Sequence, residues 1–257
     1  MEFILGILIP FVGTVLGSSI VFFMKNTLNK GIEKLLLGLA AGVMIAASIW
    51  SLLMPSFEMA ESQGLIIWLP AAVGFIFGVI FLIVIDILIS KLEKNLEIEK
   101  KNKDFKNNIM LFLAITLHNI PEGMAVGVAF AGVLAGNVGM TMAGAISLAF
   151  GIAIQNFPEG AIISMPLKST GMTKKQAFLY GTFSGVVEPI SAFITLLLTS
   201  KITAILPYLL AFAAGSMMYV VADELIPKSQ DGKYSKLGIM GLTFGFLIMM
   251  ILDVALG

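Results

Sequence analysis

Two copies of one polar motif lie inside long apolar stretches of the sequence. The hexapeptide HNIPEG at residues 118–123 recurs almost unchanged as QNFPEG at residues 155–160. A buried carboxylate in a membrane helix costs about 2.5–3.5 kcal/mol on insertion scales, and a proline leaves a backbone carbonyl without its helical donor. Imidazole, carboxylate and carboxamide groups are ligands of divalent metals. The doubled motif therefore indicates a metal site.

The spacing within each copy places its polar groups on one helix face, because positions i, i+3 and i+4 are neighbours on a helix. We expect four side chains to hold one ion: His118, Glu122, Gln155 and Glu159. A second ion would lie beside it, held by Asn119 and Asn156, with both glutamates shared. One or two ions are thus expected, as transported substrate and not as a cofactor. Zinc suits this set best, followed by iron, manganese and cadmium.

Prolines, glycines and a third carboxylate complete the motif region. Pro121 and Pro158 are predicted to kink their helices, since neither can donate a helical hydrogen bond. Gly123 and Gly160 would allow neighbouring helices to approach closely. Glu188 also lies in apolar sequence, next to a proline, and is expected to face the same cavity. Three carboxylates this close repel one another, so divalent ions or protons must offset their charge.

Several other residues in apolar sequence are further candidates for a role in metal binding, on weaker evidence than the two motifs. Met44, Ser51 and Glu58 recur at intervals of seven and share one helix face. Met44 is a candidate soft ligand and Glu58 a candidate for collecting metal at the mouth, with packing as the alternative for Met44. We interpret Asp86 and Asp253 as structural hydrogen-bond acceptors, with a role in the metal path as the alternative.

Asp223 and Glu224 form an acidic pair near the end of an apolar stretch. Such a pair is typical of the membrane interface, and a role at the exit of a metal path is the alternative.

The composition indicates an integral membrane protein. Of 257 residues, 58% are hydrophobic and 12% charged, against about 45–50% and about 25% in soluble domains. A span needs about 20 apolar residues, which predicts one all-α transmembrane domain over residues 1–257 with eight spans: 3–24, 35–54, 66–90, 107–131, 140–165, 176–199, 202–225 and 237–256. The absence of cysteine excludes a thiolate metal site, and no basic patch with aromatic residues indicates nucleic acid.

The lysines predict the orientation. All but Lys201 of the sixteen basic residues fall in the first, third, fifth and seventh loops. Under the positive-inside rule these loops face the cytoplasm. The protein would then lie in the cell membrane, that is the plasma or inner membrane, with both termini on the side away from the cytoplasm. Residues 91–106 are predicted to form a cytoplasmic loop between spans three and four, with a helical extension of span three as the alternative.

Short internal matches predict an inverted repeat. AAGVM at residues 40–44 in span two matches AAGSM at residues 213–217 in span seven, and the GT at 13–14 in span one matches that at 181–182 in span six. These matches lie five spans apart, and an odd offset reverses direction across the membrane. Spans one to three and six to eight would then be related around spans four and five, as in many transporters.

Taken together, the two hexapeptides, Glu188 within VEP at residues 187–189 and AAGSMMY at residues 213–219 resemble the ZIP (Zrt/Irt-like protein) family of divalent-metal transporters, and its GufA branch in particular. The resemblance covers the whole chain. It implies import of zinc or a related metal into the cytosol through a binuclear site between spans four and five, with Glu188 completing the second position. It also implies a homodimer.

Two departures from the family pattern bear on this expectation. Asn156 stands where some members have an aspartate, which weakens the second position, and the loop at 91–106 has no histidine. We expect no enzyme, because metalloprotease motifs need two histidines and this chain has one. The alternative function is a cation exchanger or channel for calcium or protons that uses the paired glutamates.

Overall fold

The structure, a computed structural model, describes residues 2–23, 29–95, 103–136, 140–169, 171–199 and 203–256. These residues are almost entirely helical and include no strand. Eight helical segments are long and apolar enough to cross a membrane: Phe3–Phe23, Lys30–Ser62, Trp68–Ile89, Ile115–Leu134, Met142–Lys168, Lys174–Leu198, Leu206–Gln230 and Ser235–Ala255. The predicted all-α fold with eight spans is confirmed.

Five spans consist of one α-helix each, with these bounds: Glu2–Phe23 (span one), Trp68–Asn95 (three), Lys103–Leu134 (four), Met142–Ser169 (five) and Ser235–Leu256 (eight). Pro121 and Pro158 lie inside uninterrupted α-helix. Span six is divided into two α-helices, Lys174–Gly185 and Val187–Thr199, and the division lies just before Glu188.

Spans two and seven resemble each other, since each consists of an α-helix, a π-helical segment and a second α-helix. Span two runs as α-helix Lys30–Ala47, a π-helical segment Ser48–Leu53 and α-helix Met54–Ser62. In span seven the pieces follow a short 3₁₀ turn and are Leu206–Val220, the π-helical Val221–Leu225 and Ile226–Gln230. Each π segment precedes a proline near the start of the next helix. Because a proline ring clashes with the carbonyl one turn back, a wider turn there accommodates it.

The spans form a buried centre and an exposed periphery. In the most apolar part of each span, 56–72% of the residues are buried in spans two, four, five and seven. The corresponding share is 22–44% in spans one, three, six and eight. The closest pairs are two with eight, three with seven, one with five and four with six. In the predicted repeat, spans one, two and three correspond to spans six, seven and eight, and span four corresponds to span five. Under this correspondence the pair of spans two and eight becomes the pair of seven and three, and the pair of one and five becomes the pair of six and four. The packing agrees with the predicted inverted repeat.

Both described ends of the predicted loop 91–106 are helical. Span three continues to Asn95 and span four begins at Lys103. Residues 96–102, like Lys25 and Lys201, lie outside the described residues.

Glycines let the paired spans touch through their backbones. A Cβ atom on Gly123 would lie 2.2 Å from the carbonyl oxygen of Glu188 in span six, and one on Gly160 would lie 2.3 Å from that of Thr14 in span one. The predicted close approach at both motif glycines is confirmed, with the partners being spans six and one.

We expect Gly160→Ala to lower the thermal unfolding temperature, because the added methyl group meets backbone atoms that cannot move without separating spans one and five. Gly31→Ala is the matched control, since its methyl group would meet the end of the Leu237 side chain at 3.0 Å and the Asn29 side chain at 3.2 Å. Thermal unfolding in detergent measures both. A Gly160→Ala protein as stable as the control would contradict the backbone contact.

Candidate metal centre

The two motifs come together at the buried centre of the molecule. Spans four and five, which carry them, run in opposite directions and are in contact. Asn119, Glu122, Gln155 and Asn156 are at most 1% exposed, while His118 is 5% and Glu159 7% exposed. The motif side chains are therefore buried among the surrounding spans.

Glu188 organises the two asparagines. Its Oε1 accepts hydrogen bonds from Asn119 Nδ2 at 3.1 Å and from Thr14 Oγ1 at 3.0 Å, and its Oε2 accepts one from Asn156 Nδ2 at 2.8 Å. A carboxylate is an acceptor only, so it fixes the amide nitrogens of both asparagines toward itself. The amide oxygens of Asn119 and Asn156 consequently point away from Glu188. Glu188 thus contacts both motifs through the two asparagines and orients their amide groups.

Polar atoms without a partner are concentrated in the motifs. Among the described residues, nine buried side-chain nitrogen and oxygen atoms make no hydrogen bond, and six of them belong to five motif residues: His118, Asn119, Glu122, Gln155 and Asn156. Leaving one such group unsatisfied costs about 1–3 kcal/mol, and native structures contain few of them. Their concentration here indicates a site built to be completed by a cation or by ordered water.

The free atoms are the ones that a metal would need. They include Nε2 of His118, Oε2 of Glu122, Oε1 of Gln155 and the Oδ1 atoms of both asparagines. Within the described residues, no three His, Asp or Glu side chains are already close enough to hold an ion. The amides must therefore supply part of any ligand set.

His118 has an acidic neighbour in span three. Asp86 Oδ1 in span three lies 3.5 Å from His118 Nε2, and its Oδ2 accepts a hydrogen bond from Tyr219 OH at 2.6 Å. Asp86 is 30% exposed, so it stands at the edge of the centre. Asp86 is thus a hydrogen-bond acceptor, as predicted, and its other oxygen lies beside the imidazole.

A cavity of about 30 Å³ lies beside His118. It is on the side of the membrane where most of the lysines lie. Its polar lining residues are His118, Glu159, Glu224 and Lys228. Glu224 is 20% exposed and pairs with Lys228, whereas Asp223 is exposed. The acidic pair predicted at the interface is therefore divided, and only Glu224 faces the cavity.

A second cavity, of about 240 Å³, lies at the opposite end of span two and includes Ser51, Glu58 and Asp253. Asp253 Oδ1 accepts hydrogen bonds from Ser51 Oγ at 2.7 Å and from Ser147 Oγ at 3.1 Å. Its buried Oδ2 has no partner among the described residues. Asp253 is thus a hydrogen-bond acceptor, as predicted, and also offers an oxygen to this cavity.

Met44 packs in the main apolar core. It is fully buried, as is Met217 at the equivalent position of the repeat. Hydrogen bonds join Glu188 to Asn119 and Asn156, His118 and Glu159 line one cavity, and Met44 has an apolar environment.

Comparison with known proteins identifies the family. The model of the ZIP zinc transporter family matches residues 105–253. The zinc transporter ZIP11 of Xenopus tropicalis is 36% identical, with 100% of this chain and 98% of the relative covered. The zinc transporter GufA of Myxococcus xanthus is 35% identical, with 86% of this chain and 85% of the relative covered. The zinc transporter ZIPB of Bordetella bronchiseptica is 32% identical, with 99% of this chain and 81% of the relative covered. With its eight spans and its doubled motif, the chain belongs to the ZIP family of metal transporters and is a multi-pass membrane protein that transports divalent metal.

Proposed function

We propose that this protein imports zinc into the cytosol through a site between spans four and five. The observation that carries the proposal is the cluster of unpartnered donor atoms in the two motifs. His118, Glu122, Gln155 and Glu159 would hold the first ion, and its binding would draw closer the side chains of His118, Glu122 and Glu159, which are too far apart in the described residues to hold an ion together. An imidazole together with carboxylate and amide oxygens suits zinc better than hard cations, and the relatives above carry the name zinc transporter. Iron, manganese and cadmium are the next candidates.

A second ion would bind beside the first, to the amide oxygens of Asn119 and Asn156 with the glutamates shared. The hydrogen bonds to Glu188 support this position because they turn both oxygens away from Glu188. Both asparagines are neutral, so this position depends on the charge of the carboxylates and should be the weaker of the two.

The proposed path runs between the two cavities. Zinc would enter from outside through the cavity with Ser51, Glu58 and Asp253, lose its water at the site and leave through the cavity with Glu159 and Glu224. The distribution of lysines supports this orientation, with both termini outside the cell or inner membrane. A soft-ligand role for Met44, which packs in the apolar core, also belongs to this proposal.

Uptake of competing metals by purified protein in liposomes tests the proposal. We expect saturable zinc uptake that cadmium, iron or manganese reduce more strongly than calcium does, because His118 favours borderline metals. Zinc and pH gradients should be set separately, with protein-free liposomes as the control. Calcium uptake with no zinc uptake would contradict the proposal.

A cation exchanger or channel for calcium or protons is the second candidate, since carboxylate and amide oxygens also bind hard cations. Calcium flux that His118→Ala leaves unchanged, in a protein that does not bind zinc, would favour it. The homodimer stays a prediction from the family resemblance, which light scattering of the purified protein measures.

A further inference from the structure

Lys228 places an ammonium group at the open end of the cavity beside the centre. Its Nζ lies 3.2 Å from Glu224 Oε2, one helical turn earlier in span seven, and is 46% exposed. Both residues line the cavity together with Glu159. The backbone carbonyl of Lys228 accepts a hydrogen bond from Lys34 Nζ in span two. This contact joins the end of span seven to span two at the residue whose side chain pairs with Glu224.

The three charges in this cavity act on one another. Glu159, Glu224 and Lys228 line the same cavity, so the carboxylates of Glu159 and Glu224 repel each other and the ammonium of Lys228 attracts both. With no ion present, Lys228 offsets part of the repulsion between the two carboxylates. When a divalent cation binds at Glu159, the same ammonium repels it and competes with it for Glu224. The interaction is moderated by water, because Lys228 is nearly half exposed.

We propose that Lys228 is a tethered counter-ion of the metal outlet, which weakens binding of the metal at Glu159 and Glu224 and thereby speeds its release. It is a positioning residue and does not bind the metal. A fixed positive charge at the outlet replaces the departing ion as the partner of Glu224, so that the carboxylates are never left uncompensated. This inference rests on the proposed function, since it assigns the exit step of the same path.

The test uses two substitutions at the ion pair with opposite expected effects. Lys228→Gln removes the repulsion, so we expect the KM for zinc uptake to fall about fivefold and kcat to fall with it as release slows. Glu224→Gln leaves Lys228 unpaired beside Glu159, so the KM should rise. Lys228→Arg keeps the charge and should return the KM toward that of the unmodified protein. The zinc Kd, measured by calorimetry on detergent-solubilised protein, should follow the KM in each variant.

Lys174→Gln is the matched control, because Lys174 also lies at an end of a span but donates to the carbonyl of Phe22 and not to a carboxylate. It should leave the KM and kcat unchanged. If the ion pair only stabilised span seven, both Lys228→Gln and Glu224→Gln would lower the unfolding temperature and shift the KM in the same direction or not at all, and either result would overturn the inference. Absence of zinc uptake by the unmodified protein would instead overturn the proposed function.

Discussion

Glu122→Gln and Glu159→Gln should each abolish zinc uptake in proteoliposomes. Each substitution keeps the shape of a buried side chain and removes the negative charge that both proposed ion positions share. Loss of groups that only support a metal ligand costs about 10–100-fold in affinity or activity, and loss of a shared charged ligand should exceed that. Initial rates of zinc uptake, normalised to the amount of reconstituted protein, measure the effect.

Glu61→Gln is the matched control for this experiment. Glu61 lies on the exposed end of span two, so the same chemical change there removes a charge without touching the centre. It should transport zinc at the unmodified rate. Unchanged uptake by both Glu122→Gln and Glu159→Gln would refute the assigned site, while loss of uptake by all three variants would point to damage from the substitutions themselves.

Glu188→Gln is expected to reduce zinc uptake by more than about tenfold, because orienting groups of a metal site have effects of that size. The new amide has one oxygen where the carboxylate had two, so its nitrogen would face the amide nitrogen of Asn119 or Asn156. Two donors cannot pair, and the asparagine would turn its oxygen toward residue 188. The second ion position would lose that oxygen, and zinc bound per chain, measured by dialysis, should fall with uptake.

Thr14→Val separates this effect from simple loss of a hydrogen bond. It removes the bond from Thr14 Oγ1 to Glu188 Oε1 and leaves both asparagine bonds in place, so uptake should fall far less. Equal losses in Thr14→Val and Glu188→Gln would mean that Glu188 stabilises the packing of spans one and six and has no special effect on the asparagines.

The spans and the burial of the motif residues could be predicted from the sequence because both depend on local physics. Apolar stretches of about 20 residues identify spans, and buried carboxylates next to prolines are too costly to occur without a function. The i, i+4 spacing of His118 and Glu122 correctly placed both on one buried face. The matches between spans two and seven likewise reflect packing, since Gly42 and Gly215 each lie against the backbone of a neighbouring span.

The sequence did not predict the features that depend on contacts between distant residues. These features include the break in span six and the π-helical segments Ser48–Leu53 and Val221–Leu225, which follow from how proline-containing helices pack. The motif prolines, in contrast, lie in continuous helix. Asp86 meets His118 across two spans, and nothing in the local sequence shows that pairing. One signal was present, since Asp86 is a carboxylate in apolar sequence like Glu188.

X-ray absorption spectroscopy of zinc bound to the purified, tag-free protein tests the assigned site most directly. The chain contains one histidine and no cysteine, so an imidazole in the zinc coordination shell can come only from His118. We expect a shell of one imidazole with the remaining ligands oxygen, and loss of the imidazole signal in His118→Ala. Zinc coordinated by oxygen alone in the unmodified protein would contradict a metal site built from the two motifs.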